Sequence, residues 1–135
     1  MSVGTLSWQD VVIANGAAIS AAIALIGRRL VGIQQAADCE GVSWTLYACA
    51  TESGTYVQVF NAIQEATGAA PVTAPWEVSK SATAAQILML PAAFQYEGLP
   101  FIKLHSADSS AADTNQTTAD ATIRVFTEEL QPGFP

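Results

Sequence analysis

Basic side chains are scarce in this sequence: five Lys and Arg stand against twelve Asp and Glu, for a formal net charge of -7. Nucleic-acid binding rests on cations that displace counterions from phosphates. Arg28, Arg29, Lys80, Lys103 and Arg124 are the whole supply, so direct DNA or RNA recognition is not expected. An anionic membrane would repel the chain for the same reason. Long apolar runs are missing too, and nothing approaches a membrane span. The most apolar early run, Ala17 to Ile26, follows Trp8, Gln9 and Asp10 where a signal peptide would carry Lys or Arg. The chain is therefore expected to start at its natural Met1 and to fold in the cytoplasm. Cysteine is limited to Cys39 and Cys49, without His or Cys neighbours at metal-binding intervals. Two reduced thiols are expected, with a disulfide as the alternative.

Charge of either sign is sparse: 13% of residues are charged while 50% are hydrophobic. The usual charged share is about a quarter. A domain with so little charge to spread over its surface is expected to cover part of that surface with partners or copies of itself. The length of 135 residues suits one domain with an adequate core and no need of staples.

What is present is a series of short apolar runs separated by turn formers, which points to an all-β sandwich or barrel. Gln9 to Ala14 reads as a strand, closed by Asn15-Gly16, a dipeptide suited to a two-residue hairpin turn. Ala17 to Ile26 fits a returning strand, although Ile19, Ala22, Ile23 and Ile26 would also share one helix face. Arg29 to Gln35 alternates, with Val31, Ile33 and Gln35 opposite Leu30, Gly32 and Gln34; Asp38 to Gly41 then turns. Ser43 to Thr51 sets Trp44, Leu46, Ala48 and Ala50 against Ser43, Thr45, Tyr47 and Cys49, and pairs through Glu52-Ser53-Gly54 with Thr55 to Asn61. Ala62 to Pro75 reads as a long loop with a helical turn near Ala62 to Ala66, and Trp76 to Lys80 as a short edge strand.

Ala84 to Leu90 is apolar on both faces, the pattern of a buried central strand. Pro91 to Phe94 reads as a tight or single helical turn. Leu99 to Ser106 points Ile102 and Leu104 inward. Asp108 to Asp120 is polar and expected to be an exposed loop. In Ala121 to Glu129, Ile123 and Val125 oppose Arg124 and Phe126. The sum is an antiparallel β-sandwich or jelly roll of about eight strands over residues 1–135, with flexible arms at 1–7 and 131–135.

The search for chemistry finds little. The single histidine, His105, alternates with Lys103 and Phe101 and reads as a surface or interface residue, since no nucleophile-elbow or cysteine-enzyme signature accompanies it. Glu128 and Glu129 are adjacent on a strand and face opposite ways, so they cannot flank one sugar bond. Asp108, Asp113, Asn115 and Asp120 offer oxygen ligands for calcium, but without EF-hand spacing they read as a solvated loop. Phosphate-cradling glycine motifs are absent. Trp8, Trp44, Trp76 and the tyrosines raise sugar stacking; Trp44 alternates like a core residue, and Trp76, after Pro75, is the better candidate for exposure. No cofactor and no enzyme activity are expected, and Trp8, Trp76 and Phe134 are the candidate interface residues.

Several segments together carry a family resemblance. They are Val12-Ile13-Ala14-Asn15-Gly16, Leu30-Val31-Gly32-Ile33-Gln34, Trp44-Thr45-Leu46-Tyr47 with Gly54-Thr55-Tyr56, Pro91-Ala92-Ala93-Phe94, Leu99-Pro100-Phe101-Ile102-Lys103-Leu104 and Thr122-Ile123-Arg124-Val125-Phe126. In this order the chain resembles small virion proteins of tailed bacteriophages, above all the β-sandwich or jelly-roll proteins that decorate and cement capsids. The resemblance implies a protein of the capsid surface that binds the major capsid protein and stabilises capsomer contacts. It also implies a homo-oligomer, trimeric before dimeric, with the arms and Phe134 reaching outward to dock. The alternative it leaves is a carbohydrate- or receptor-binding module of a phage tail or fibre. No site residues transfer with it.

Overall fold

The structure is a computed structural model and describes residues 5–35, 39–63, 72–80, 86–108, 112–117 and 119–130. Among these residues there are eleven strands and one short 3-10 turn, at Ala92–Phe94. The first sheet runs β1 (Leu6–Ile13), β11 (Ala121–Glu129), β3 (Arg28–Gln35), β9 (Ile87–Met89), all antiparallel. The second runs β2 (Ile23–Ala24), β10 (Phe101–Ala107), β4 (Ser43–Cys49), β5 (Val57–Gln58), with β8 (Glu77–Ser79) also on β4. β6 (Phe60–Ile63) and β7 (Val72–Pro75) form a separate two-stranded ribbon. Few chain neighbours are sheet neighbours, so most connections cross between the sheets and close the sandwich.

The core between the sheets follows from period-two alternation. Val11 and Ile13 of β1, Ile123 and Val125 of β11, and Leu30 and Ile33 of β3 meet Trp44, Leu46 and Ala48 of β4 and Ile102 and Leu104 of β10. Burying each large side chain is worth about 1.5–3 kcal/mol. The β4 and β10 alternations, the β4–β5 hairpin, the edge strand after Trp76 and the turn after Pro91 are all as read from sequence.

Other expectations are corrected. β1 begins at Leu6 and pairs Leu6 and Ser7 with Glu128 and Thr127, so residues 5–7 belong to the sheet and not to an arm. The Ala14–Ala17 turn forms, with Gly16 at φ 89° and the Ala17 N–H donating to the Ala14 carbonyl at 2.9 Å. It does not return the chain beside β1 as a hairpin. The segment after it lies against β10, where Ile19 bridges His105 and only Ile23–Ala24 is regular strand. In β3 a bulge at Val31 leaves Gly32 opposite Phe126 and Leu30 opposite Thr127. One extra residue inverts the alternation beyond it, so Leu30 and Ile33 both enter the core. The run ending at Leu90 is an edge strand with Ile87 and Met89 exposed, not a buried central one. Ala62 to Pro75 contains the paired ends of β6 and β7, and the helical turn placed near Ala62 to Ala66 meets strand at Ala62; 64–66 lie outside the described residues. The strand count exceeds the expected eight.

Candidate interaction face

The alternation that buries one side of the first sheet sends the other side outward. Leu6, Trp8, Asp10 and Val12 of β1 stand opposite Glu128, Phe126, Arg124 and Thr122 of β11. The register continues through Gly32 and Gln34 of β3 to Met89 and Ile87 of β9. One row across the sheet is therefore Trp8, Phe126, Gly32, Met89. Leu6, Trp8, Ile87 and Met89 are about half or more exposed, Trp8 most among them at 59%. Gly32 holds the row flat, because a Cβ there would meet Met89 Sδ at 3.0 Å, the Leu88 carbonyl at 3.3 Å and Phe126 Cβ at 3.4 Å.

Charge is balanced on this face. Arg124 Nε donates to Asp10 Oδ1 at 3.0 Å and its guanidinium lies 5.3 Å from the centre of the Trp8 ring. The hydrogen bond from Arg124 holds the Asp10 carboxyl below the usual carboxylate range, and Asp10 raises the Arg124 guanidinium in turn. Both groups line, with Gln34, Gln35 and Thr122, a shallow open cleft of about 280 Å³.

β1 is also an edge. The Thr5 carbonyl accepts from Glu129 N on the β11 side, whereas the Val12 carbonyl accepts from Ala21 N on the other side. Backbone groups alternate in direction along a strand, so those of Leu6, Trp8 and Asp10 face away from β11. Among the described residues no strand pairs with them. Pro and Lys, common guards of an edge, are absent from Leu6–Ile13, as is any bulge.

Of the residues expected to form an interface, Trp8 lies in this face. Trp76 does not: it is 2% exposed, its Nε1–H donates to the Phe94 carbonyl at 3.0 Å, and its ring packs edge-on against Phe94. The expectation that Trp76 is exposed is overturned, because the 3-10 turn supplies the carbonyl its indole needs. Phe134 lies outside the described residues. Phe126, Met89 and Ile87 were not singled out from sequence, although a Phe on the outward parity of β11 was a usable signal.

No family profile, no curated protein and no solved structure matches this chain. Its surface must be read from its own chemistry.

The outer side of the second sheet is different. His105, expected at the surface or in an interface, is 4% exposed in the chain by itself. Its Nδ1 is 2.7 Å from Thr45 Oγ1 and its Nε2 is 2.5 Å from Asp113 Oδ1. The sequence could not show this, since Thr45 and Asp113 come from β4 and a loop. A hydroxyl, an imidazole and a carboxylate in line resemble a nucleophile triad, but Thr45 is fully buried in mid-strand and its oxygen is sealed from any substrate. The array instead clamps the 112–117 segment onto β10, with Thr114 N donating to the Ser106 carbonyl at 3.0 Å. In the same segment Gln116, expected in an exposed loop, is fully buried and accepts from Glu40 N at 2.9 Å. The loop acids do not converge: Asp113 turns to His105, Asp120 to Asn15 N and Asp108 to Ala112 N. Among the described residues no three His, Cys, Asp or Glu side chains could hold a metal, and no helix is long and apolar enough to cross a membrane.

Proposed function

We propose that this chain is a virion structural protein of a tailed phage, a decoration or cement protein that docks through the outer face and free edge of its first sheet. The observation that carries this reading is the coincidence, on one sheet, of a strand edge left unpaired at Leu6, Trp8 and Asp10 and of exposed apolar side chains, Leu6 and Trp8 on that edge and Ile87 and Met89 on β9. Edge pairing supplies main-chain hydrogen bonds to a partner strand, and an aromatic anchor supplies apolar area. Together they suit a partner that is a protein surface present in many copies, with the major capsid protein as that surface. Binding the assembled shell stabilises it by mass action and requires no reaction. A homo-oligomer, trimeric before dimeric, places several such faces on neighbouring capsomers at once.

The test is cryo-electron microscopy of intact particles made with the chain and with Trp8→Ala. Density on the head with the first sheet against the shell, reduced in the variant, is the expected result. Density confined to the tail, or none, overturns the proposal.

The cleft lined by Asp10, Gln34 and Arg124 favours a second reading, a glycan-binding module of a tail or fibre. Its side chains offer hydrogen-bonding groups, and the exposed Trp8 indole, against Arg124, offers a stacking face. Trp76 has no part in it. Glycan-array binding that is lost in Trp8→Ala and Gln34→Ala would support this reading over the first.

A further inference from the structure

The densest polar cluster outside the interaction face gathers around Lys80, just beyond β8. Its Nζ lies 4.0 Å from the centre of the Trp44 ring, donates to Ser106 Oγ at 2.6 Å and to the Glu40 carbonyl, and stands 3.5 Å from Cys39 Sγ. The backbone is fixed as well: Lys80 N donates to the Val42 carbonyl at 2.9 Å. Gly41, at φ 96°, brings the chain so close that a Cβ there would sit 2.5 Å from Ser106 Oγ and 3.0 Å from Lys80 Nζ. The amine is thus held on the thiol by an aromatic face and two oxygens, and Cys39 is only partly buried. Burial pushes the Lys80 ammonium below the usual lysine range, against the opposing pull of Cys39 and Glu40.

We propose that Cys39 and Lys80 form an oxidant-triggered nitrogen–sulfur crosslink, with a peroxide as the oxidant. In the first step the Cys39 sulfur attacks a peroxide oxygen. The S–O bond forms, the O–O bond breaks, sulfur loses two electrons to the peroxide, and the departing oxygen leaves as water with the thiol proton. The product is a sulfenic acid, the first rung of thiol oxidation and one that condenses with nitrogen. In the second step Lys80 Nζ attacks that sulfur. The S–N bond forms, the S–O bond breaks, and the hydroxyl leaves as water with a proton from the amine. Thiol, amine and one peroxide become a sulfenamide and two waters. The bond joins positions 41 residues apart, and it ties the segment before β4 to the end of β8 beside β10. In a reducing cytosol the pair stays open; outside it the crosslink closes.

Tryptic mapping of the full chain after dilute hydrogen peroxide is the test. Lys80 is the first basic residue after Arg29, and Lys103 is the next. Crosslinking blocks cleavage after Lys80, so a 30–103 fragment two hydrogens lighter than its sequence replaces the 30–80 fragment. Dithiothreitol should restore cleavage, and the thermal midpoint should rise by several degrees on oxidation and fall back on reduction. Lys80→Arg and Cys39→Ser should each abolish the light fragment, while Cys49→Ser keeps it. Wild-type protein in which Cys39 advances to sulfinic acid with Lys80 still cleaved overturns the proposal, as does the same light fragment in Lys80→Arg. The wild-type map decides the matter even if a variant fails to fold.

Discussion

The outer sides of the two sheets are built from the same period-two alternation and end up opposite in character. On the second sheet the outward residues Ser43, Thr45, Cys49, His105 and Ala107 are buried, and the 112–117 segment is fastened over His105 and Ala107 through Asp113. On the first sheet the outward residues Leu6, Trp8, Ile87 and Met89 stay exposed. Polar side chains are covered on the second sheet while large apolar ones stay open among the charged residues of the first, the reverse of what a solitary domain needs from its surface. The lesson is that coverage, and not hydropathy alone, decides which face of a sandwich belongs to the protein and which is left for a partner.

That contrast can be broken by substitution, and the covered side should be the more fragile. The largest effect is expected at Gly41, where Ala must adopt positive φ and also displace Ser106 and Lys80; a loss of about 3 kcal/mol in urea unfolding is expected. His105→Ala comes next. It leaves Thr45 without its partner and frees Asp113 from β10, for a loss of about 2 kcal/mol, and increased proteolysis of the 112–117 segment is the accompanying readout.

On the open side, Gly32→Ala should cost less, about 1 kcal/mol, because the flexible Met89 sulfur can yield while the Leu88 carbonyl cannot. Trp8→Ala should change stability by under about 0.5 kcal/mol while removing docking, a separation of stability from function that no residue of the covered side should show. The smallest effect belongs to the Asp10–Arg124 pair. Its carboxyl is depressed when folded, so its contribution is present above the ordinary value of 3.8 and is lost as pH falls through the lower folded value. Asp10→Asn should flatten that acid limb of a thermal-midpoint-against-pH curve by an amount near the limit of detection.

Much of the framework was legible in the sequence because it depends on neighbours in the chain. Trp44, Leu46 and Ala48 against Thr45 and Tyr47, or Ile123 and Val125 against Arg124 and Phe126, need only the pleat to be assigned. What escaped depends on distant partners. The Val31 bulge inverts parity in β3 through its register with β11. Trp76 is buried because a carbonyl 18 residues away meets its indole. Gln116 looks like loop until Glu40, 76 positions earlier, occupies its amide. The interaction face was half legible: Trp8 was named, but its row through Phe126 and Met89 appears only when β1, β11, β3 and β9 are placed side by side.

Hydrogen–deuterium exchange along β1, in the isolated chain and in assembled particles, tests the docking surface most directly. Ser7 and Gln9 face β11 and should exchange slowly in both states, whereas Leu6, Trp8 and Asp10 should exchange fast alone and slowly once assembled. Alternate amides that stay fast in the particle would contradict the account.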